Sequence, residues 1–196
     1  MDLENRDKRD SQIYDSSIRG FDQSFWATIS GTPSGSAGSG NVITLNAATI
    51  TSYPQYEFVE KAEFMLTVPN APTGGQAIRQ WGFKSPSSNN LGAAYFQTSG
   101  AVFTAVVYDN FGNTQTKTLT WTGSYTATAT RFQIMSEPER IMFKINDVIV
   151  ATFTVTSGAS PVALPFGALP IYISNGASDN MTITYIDLLH AANILS

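Results

Sequence analysis

In residues 131–155, RFQIMSEPERIMFKINDVIVATFTV, apolar side chains recur at alternate positions, and two short polar interruptions divide the segment into three. Ile141, Phe143 and Ile145 alternate with Met142, Lys144 and Asn146, the period of a strand with one buried face. Asn146 and Asp147 both tolerate the positive φ that a two-residue hairpin needs, so 148–155 is expected to return antiparallel. The segment predicts strand, turn, strand, tight turn, strand, and therefore a sheet protein.

The rest of the chain follows the same grammar. Strand-like runs at 25–30, 42–50, 56–68, 77–83, 92–97, 101–108, 114–121, 170–174 and 181–189 are rich in Thr, Val, Ile, Phe and Tyr and are separated by turn residues. No long stretch holds a 3.6-residue period. Short strands at regular spacing predict an all-β fold, an antiparallel β-sandwich of the jelly-roll type. The Gly/Ser stretch 31–41 is a loop and not a phosphate cradle, because no Lys-Ser or Lys-Thr follows it.

With 196 residues the chain can bury a core without covalent staples, and it contains no cysteine, which excludes disulfides and thiolate-held zinc. A formal charge of −4 with no basic cluster argues against nucleic acid as a partner. No apolar run approaches the ~18 residues of a membrane span, and MDLENRDKRD does not read as a signal peptide. The expectation is a protein made in the cytosol that reaches an exterior or virion surface, if it does, by a route such as viral lysis of the host.

Charge is concentrated at the start: the first 22 residues hold 10 of the 26 charged side chains. Residues 1–24 therefore read as a charged arm preceding a domain over 25–196, too polar to order itself alone. Arg6, Lys8, Arg9, Tyr14 and Arg19 are candidate assembly contacts, reaching a neighbouring copy or a lattice protein.

Two further segments carry a resemblance. Arg79-Gln80-Trp81-Gly82-Phe83, then Ala94-Tyr95-Phe96 and Gly100, resembles the RWGF and AYF stretch of concanavalin A-like lectin and glucanase jelly rolls, the superfamily that includes laminarinase-type glycosidases. The hairpin with Phe132-Gln133-Ile134 and Phe143-Lys144-Ile145-Asn146-Asp147 resembles the hairpin of the same superfamily, with Asn-Asp in place of its Asp-Gly. Ile183-Thr184-Tyr185-Ile186-Asp187 is similar to its last sandwich strand, and the resemblance implies that Asp187 could help to hold a structural calcium, the one cofactor considered.

Enzymatic members carry a Glu-x-Asp-x-x-Glu strand, since retaining glycoside hydrolysis needs two carboxyl groups about 5 Å apart. This chain has no such strand, and no acidic residue lies between Glu63 and Asp109. Glu57, Glu60 and Glu63 are three apart, which on a strand sends successive members to opposite faces. Glu137 and Glu139 read as a solvated turn, and His190, as the single histidine, has no partner for a multi-His metal site. The expectation is thus a protein that is not an enzyme.

Exposed aromatics beside amides and carboxylates suit sugar binding, and Tyr108, Asp109, Asn110, Asn113, Trp121 and Tyr125 have that composition, whereas Trp81 reads as core. The sequence is therefore read first as a non-catalytic structural or surface protein, such as a phage capsid decoration or tail component, self-associating or lattice-bound and adhering to polysaccharide. A carbohydrate-binding module is the alternative, and a glycoside hydrolase the second alternative.

Overall fold

The computed structural model describes residues 12–15, 26–31, 33–34, 42–52, 61–69, 71, 73–75, 77–84, 92–137, 139–156, 163–165 and 169–189. Among them the strands are β1 (Gln12–Asp15), β2 (Trp26–Ser30), β3 (Ile43–Leu45), β4 (Ala48–Ser52), β5 (Lys61–Thr67), β6 (Arg79–Lys84) and β7 (Ala93–Ser99). They continue with β8 (Val102–Tyr108), β9 (Thr114–Thr118), β10 (Thr130–Glu137), β11 (Arg140–Ile145), β12 (Val148–Thr154), β13 (Ile171–Asn175) and β14 (Met181–Leu189). One helical turn, α1 (Ser124–Ala127), stands between β9 and β10.

The described strands form two sheets. The first runs β1-β14-β5-β10-β11-β12, with β3 also against β14, and the second runs β2-β4-β13-β6-β7-β8-β9. The strand pairings are antiparallel. This is the expected all-β sandwich.

Residues 131–155 fold as their alternation predicts. Phe132 stands opposite Ile145 and Ile134 opposite Phe143, and all four side chains are buried. Asn146 and Asp147 take φ of 49° and 66°, the pair of positive values that a two-residue turn of this type requires. Arg131 then pins the turn, its backbone N–H donating to Asn146 Oδ1 at 3.2 Å and its Nη1 to Asp147 Oδ2 at 3.0 Å.

Two features depart from the sequence reading. The run 42–50 is two strands in different sheets, because the chain turns at Asn46 and Ala47, where Ala47 has φ 45°. Asn46 Nδ2 donates to Ser178 O at 2.7 Å and to Asn180 Oδ1 at 2.9 Å, so the turn is held by residues far along the chain. Within the arm, β1 pairs with β14 of its own chain, Tyr14 opposite Leu188 and Asp15 opposite Asp187. That segment is therefore part of the first sheet of its own chain, while Arg6, Lys8, Arg9 and Arg19 lie outside the described residues.

Between the sheets the largest side chains interlock. Trp81 stacks on Phe96 and Phe103 with ring centroids 5.8 and 6.1 Å apart and meets the edge of Phe132 at 5.1 Å. Phe143 continues the cluster to Phe96 and Phe153. Such contacts add to the area term that drives burial.

At one end a buried cation organises the β13–β14 connection. Arg79 is 0% exposed, its Nε donates to Asn175 Oδ1 at 3.1 Å, and its Nη2 reaches both Asp179 oxygens at 2.8 and 2.7 Å. Asn175 Nδ2 in turn donates to Leu45 O at 2.8 Å and to Asp179 O at 2.6 Å. Along one side, β9 covers the edge strand β12: Gln115 Nε2 donates to Thr154 O at 2.9 Å and Lys117 Nζ to Thr152 O. Carbonyls that could otherwise recruit another strand are thereby occupied.

Candidate functional site

Alternation along the second sheet sends Trp81, Phe83, Ala94, Phe96, Phe103, Ala105 and Val107 into the core and leaves their neighbours on the outer face. The strand registers then set the outer residues in rows. One row crosses β13, β6, β7 and β8 as Tyr172, Gly82, Tyr95 and Val106. The next crosses the same strands as Ser174, Gln80, Gln97 and Thr104. Tyr108 stands opposite Ala93 at the end of β8.

Contacts between rows fix these groups. Tyr95 and Tyr108 stack at 6.4 Å with their planes 16° apart, and with Ala93 and Val106 they form an apolar patch separate from the main core. Gln80 Nε2 donates to Gln97 Oε1 at 2.6 Å, and Thr49 and Ser174 share a hydroxyl hydrogen bond of 2.8 Å. Lys84 donates to Gln80 Oε1 at 3.1 Å, and its Nζ sits 5.5 Å from the Tyr95 ring centroid and 5.1 Å from that of Tyr172. The cation is thus held over two aromatic faces.

Gly82 makes the arrangement possible. Its φ is 149°, and a Cβ there would lie 2.5 Å from Ala94 O and 2.6 Å from Tyr95 Cα, so only glycine lets β6 approach β7 while leaving a gap between the Tyr172 and Tyr95 rings. Burial pushes the Tyr95 hydroxyl well above its usual range, and Tyr108 and Tyr172 add to that shift. Burial lowers the Lys84 ammonium from its ordinary value. Tyr95 and Gln80 are only 4% and 7% exposed, so the groups this face offers to solvent are the half-buried Tyr108, Tyr172, Gln97, Ser174 and Lys84.

The candidates drawn from the sequence scatter. Tyr108 is on this face. Asp109 is 1% exposed and serves the hairpin: Oδ1 accepts from the N–H groups of Phe111 at 2.9 Å and Asn113 at 2.8 Å, and Oδ2 from Asn113 Nδ2 at 2.8 Å and the Ala163 N–H at 3.4 Å. Burial pushes this carboxyl up, but those bonds outweigh it and hold the group below its ordinary range. The loop thus consumes the acceptor capacity that a sugar would need from Asp109, and it engages one N–H of the exposed Asn113 side chain. Asn110 is half-buried beside Gly92, while Phe111, which the sequence reading did not single out, is 75% exposed at the hairpin tip.

Trp121 and Tyr125 turn inward. Phe103 meets Trp121 at 5.3 Å and Tyr125 at 6.1 Å, and Tyr125 also meets Phe132 at 5.6 Å, so both rings extend the core and form no platform with Tyr108. Four residues of the face were missed: Gln80, Lys84, Gln97 and Tyr172. Their signal was the outer phase of RQWGFK, AAYFQTS and IYISN, in which Gln, Gly and Lys, then Ala, Tyr and Gln, then Tyr and Ser, alternate with core residues.

Asp187 lies on the first sheet in register with Glu63. Glu63 is neutralised by Lys61 at 3.0 Å, Arg131 at 3.2 Å and Gln133 Nε2 at 3.0 Å, which leaves little of it for a metal. No group of three or more His, Cys, Asp or Glu side chains among the described residues could hold an ion. The described side chains near Asp187 do not by themselves compose a calcium shell, so an ion there would draw on main-chain carbonyls as well. Glu137 pairs with Arg140 at 2.6 Å, and Glu57, Glu60 and His190 lie outside the described residues.

No protein-family profile matches the chain, and no curated protein matches its sequence. Solved structures do match in shape. A Bacteroides ovatus glycoside hydrolase of family 16, from a mixed-linkage glucan locus and bound to its G4G4G3G product, superposes with a TM-score of 0.65 over 90% of this chain and 100% of its own, at 15% identity. Bacillus licheniformis β-glucanase gives 0.62 over 90% and 97% of the two chains, at 10% identity. A family 16 glycosyl hydrolase from Mycobacterium smegmatis gives 0.58 over 91% and 100%, at 11% identity.

These likenesses show that the chain shares the jelly-roll fold of those hydrolases. They also correct the expectation that the chain is not an enzyme, because the solved proteins that share its architecture are glycoside hydrolases. That expectation treated an acid-free interval of sequence as decisive. Catalytic carboxyls are a requirement on geometry, and at 10–15% identity their position in one chain cannot be read off another.

Proposed function

We propose that the protein binds carbohydrate along the outer face of its second sheet. The observation that carries this reading is the row of Tyr172, Gly82 and Tyr95, joined by Tyr108 and flanked by Gln80, Gln97 and Ser174. Aromatic faces accept the C–H side of a sugar ring, while amides and hydroxyls exchange hydrogen bonds with its hydroxyls. The absence of a side chain at Gly82 leaves room between the two rings for the Lys84 ammonium, which reaches Gln80 there. The neighbours, which act on or are bound to glucans, support the choice of ligand class.

The test is calorimetric titration with mixed-linkage glucan oligosaccharides. Tyr108→Ala and Tyr172→Ala, both half-buried, are each expected to weaken binding about tenfold or more, as truncation of an aromatic anchor does. Trp121→Phe is expected to leave the affinity within about twofold, since that ring serves the core. Equal affinities across all these proteins would defeat the proposal.

The neighbours bring a second reading, cleavage or transfer of a β-glucan. It needs two carboxyl groups on one site, and release of reducing ends in the same titrations reads it out. The virion reading draws no support from these comparisons.

A further inference from the structure

We propose that the ligand of this face is an anionic glycan, whose carboxylate or sulfate group meets Lys84 Nζ between the rings of Tyr95 and Tyr172. The inference rests on the carbohydrate-binding reading above and narrows it. Among the described residues Lys84 is the one charged side chain on the outer faces of β4, β13, β6, β7, β8 and β9. The ion pairs formed by described residues involve Lys61, Arg79, Arg131 and Arg140, and no carboxylate among those residues pairs with Lys84.

A surface lysine ordinarily extends its ammonium into water. Lys84 instead lies back over two aromatic faces and gives a hydrogen bond to Gln80 at 3.1 Å. An ammonium whose neighbours among the described residues are all neutral is under-compensated by them, because phenol faces and one amide oxygen replace only part of its hydration. The group that completes such a site is an anion, and its placement in a row of aromatic and amide groups puts that anion on a sugar. Uronic acids and sulfate esters supply the same chemistry, and binding either to a chain with a net charge of −4 makes the local cation the selective element.

The test compares three probes by calorimetry on the full chain: a galacturonate hexamer, a sulfated galactan oligosaccharide and a neutral mixed-linkage glucan tetrasaccharide. At least one anionic probe is expected to bind about tenfold more tightly than the neutral one, the scale of a charge-assisted hydrogen bond. The tighter of the two identifies whether carboxylate or sulfate is the natural group. Lys84→Gln should erase that preference, Lys84→Arg should keep most of it, and raising the salt should weaken only the anionic complexes. The inference is overturned if the neutral probe binds as well as both anionic ones, or if the preference survives in Lys84→Gln. Neutral binding without preference would sink this inference alone, whereas silence from all three probes would remove the carbohydrate reading with it.

Discussion

Arg79→Ala is expected to cost about 3–5 kcal/mol of folding stability, seen as a lower urea midpoint with an unchanged slope. The guanidinium is fully buried, and its removal takes the 2.8 and 2.7 Å contacts from the two Asp179 oxygens and the 3.1 Å bond from Asn175 Oδ1, which keeps its bond from the Ala177 N–H at 3.2 Å. Water can reach Asp179, whose side chain is 30% exposed, so the lower part of that range is the better guide. The larger consequence is structural. Asp179 and Asn175 fold the 176–180 connection back against β3, whose Leu45 carbonyl accepts from Asn175, and residues 178 and 180 also hold Asn46 in its turn. Arg79→Lys keeps the charge but not the fork and should recover only part of the loss. A cost below about 1 kcal/mol for Arg79→Ala, the size of an exposed pair, would show that this network is ornamental.

Trp81→Ala should be comparably severe, about 3–5 kcal/mol, measured by the same denaturation. Its ring is completely buried and touches Phe96, Phe103 and Phe132, which come from β7, β8 and β10 and thus from both sheets. Removing it opens a cavity that strands already fixed by their ladders cannot collapse to fill. Trp81→Phe separates volume from polarity. The Trp81 Nε1 finds no hydrogen-bond partner among the described atoms, so the smaller ring sacrifices no bond and should cost well under half as much. If the two substitutions cost the same, the account of Trp81 as a packing residue fails.

Much of the fold was legible because its signals are local. The three strands of 131–155 follow from alternation plus Asn146 and Asp147, all readable within a few residues, and Trp81 was recognisable as core from its segment. The break at Asn46 and Ala47 was not legible, since no Gly or Pro marks it and the bonds that make it come from residues 178 and 180. β1 escaped for a similar reason: QIYD sits in a charged arm and becomes a strand only because the edge of β14 receives it.

The candidate site was harder to read, because a sheet face is a product of register. Tyr172 and Tyr95 are 77 positions apart, and they flank Gly82 only once β13, β6 and β7 are paired. Composition drew attention instead to Trp121, Tyr125 and Asp109, where aromatics and polar groups are close in sequence. In the folded chain those residues serve the core and a hairpin. Tyr108 belonged to the same stretch and faces outward, which alternation along β8 could have distinguished.

The most direct test of the central claim is backbone amide chemical-shift mapping during titration with a mixed-linkage glucan tetrasaccharide and a galacturonate hexamer. Binding at the outer face of the second sheet predicts the largest changes at Gly82, Tyr95, Gln97 and Tyr172, with the strands of the first sheet undisturbed. Changes centred on the first sheet, or on the turn that carries Trp121 and Tyr125, would contradict it.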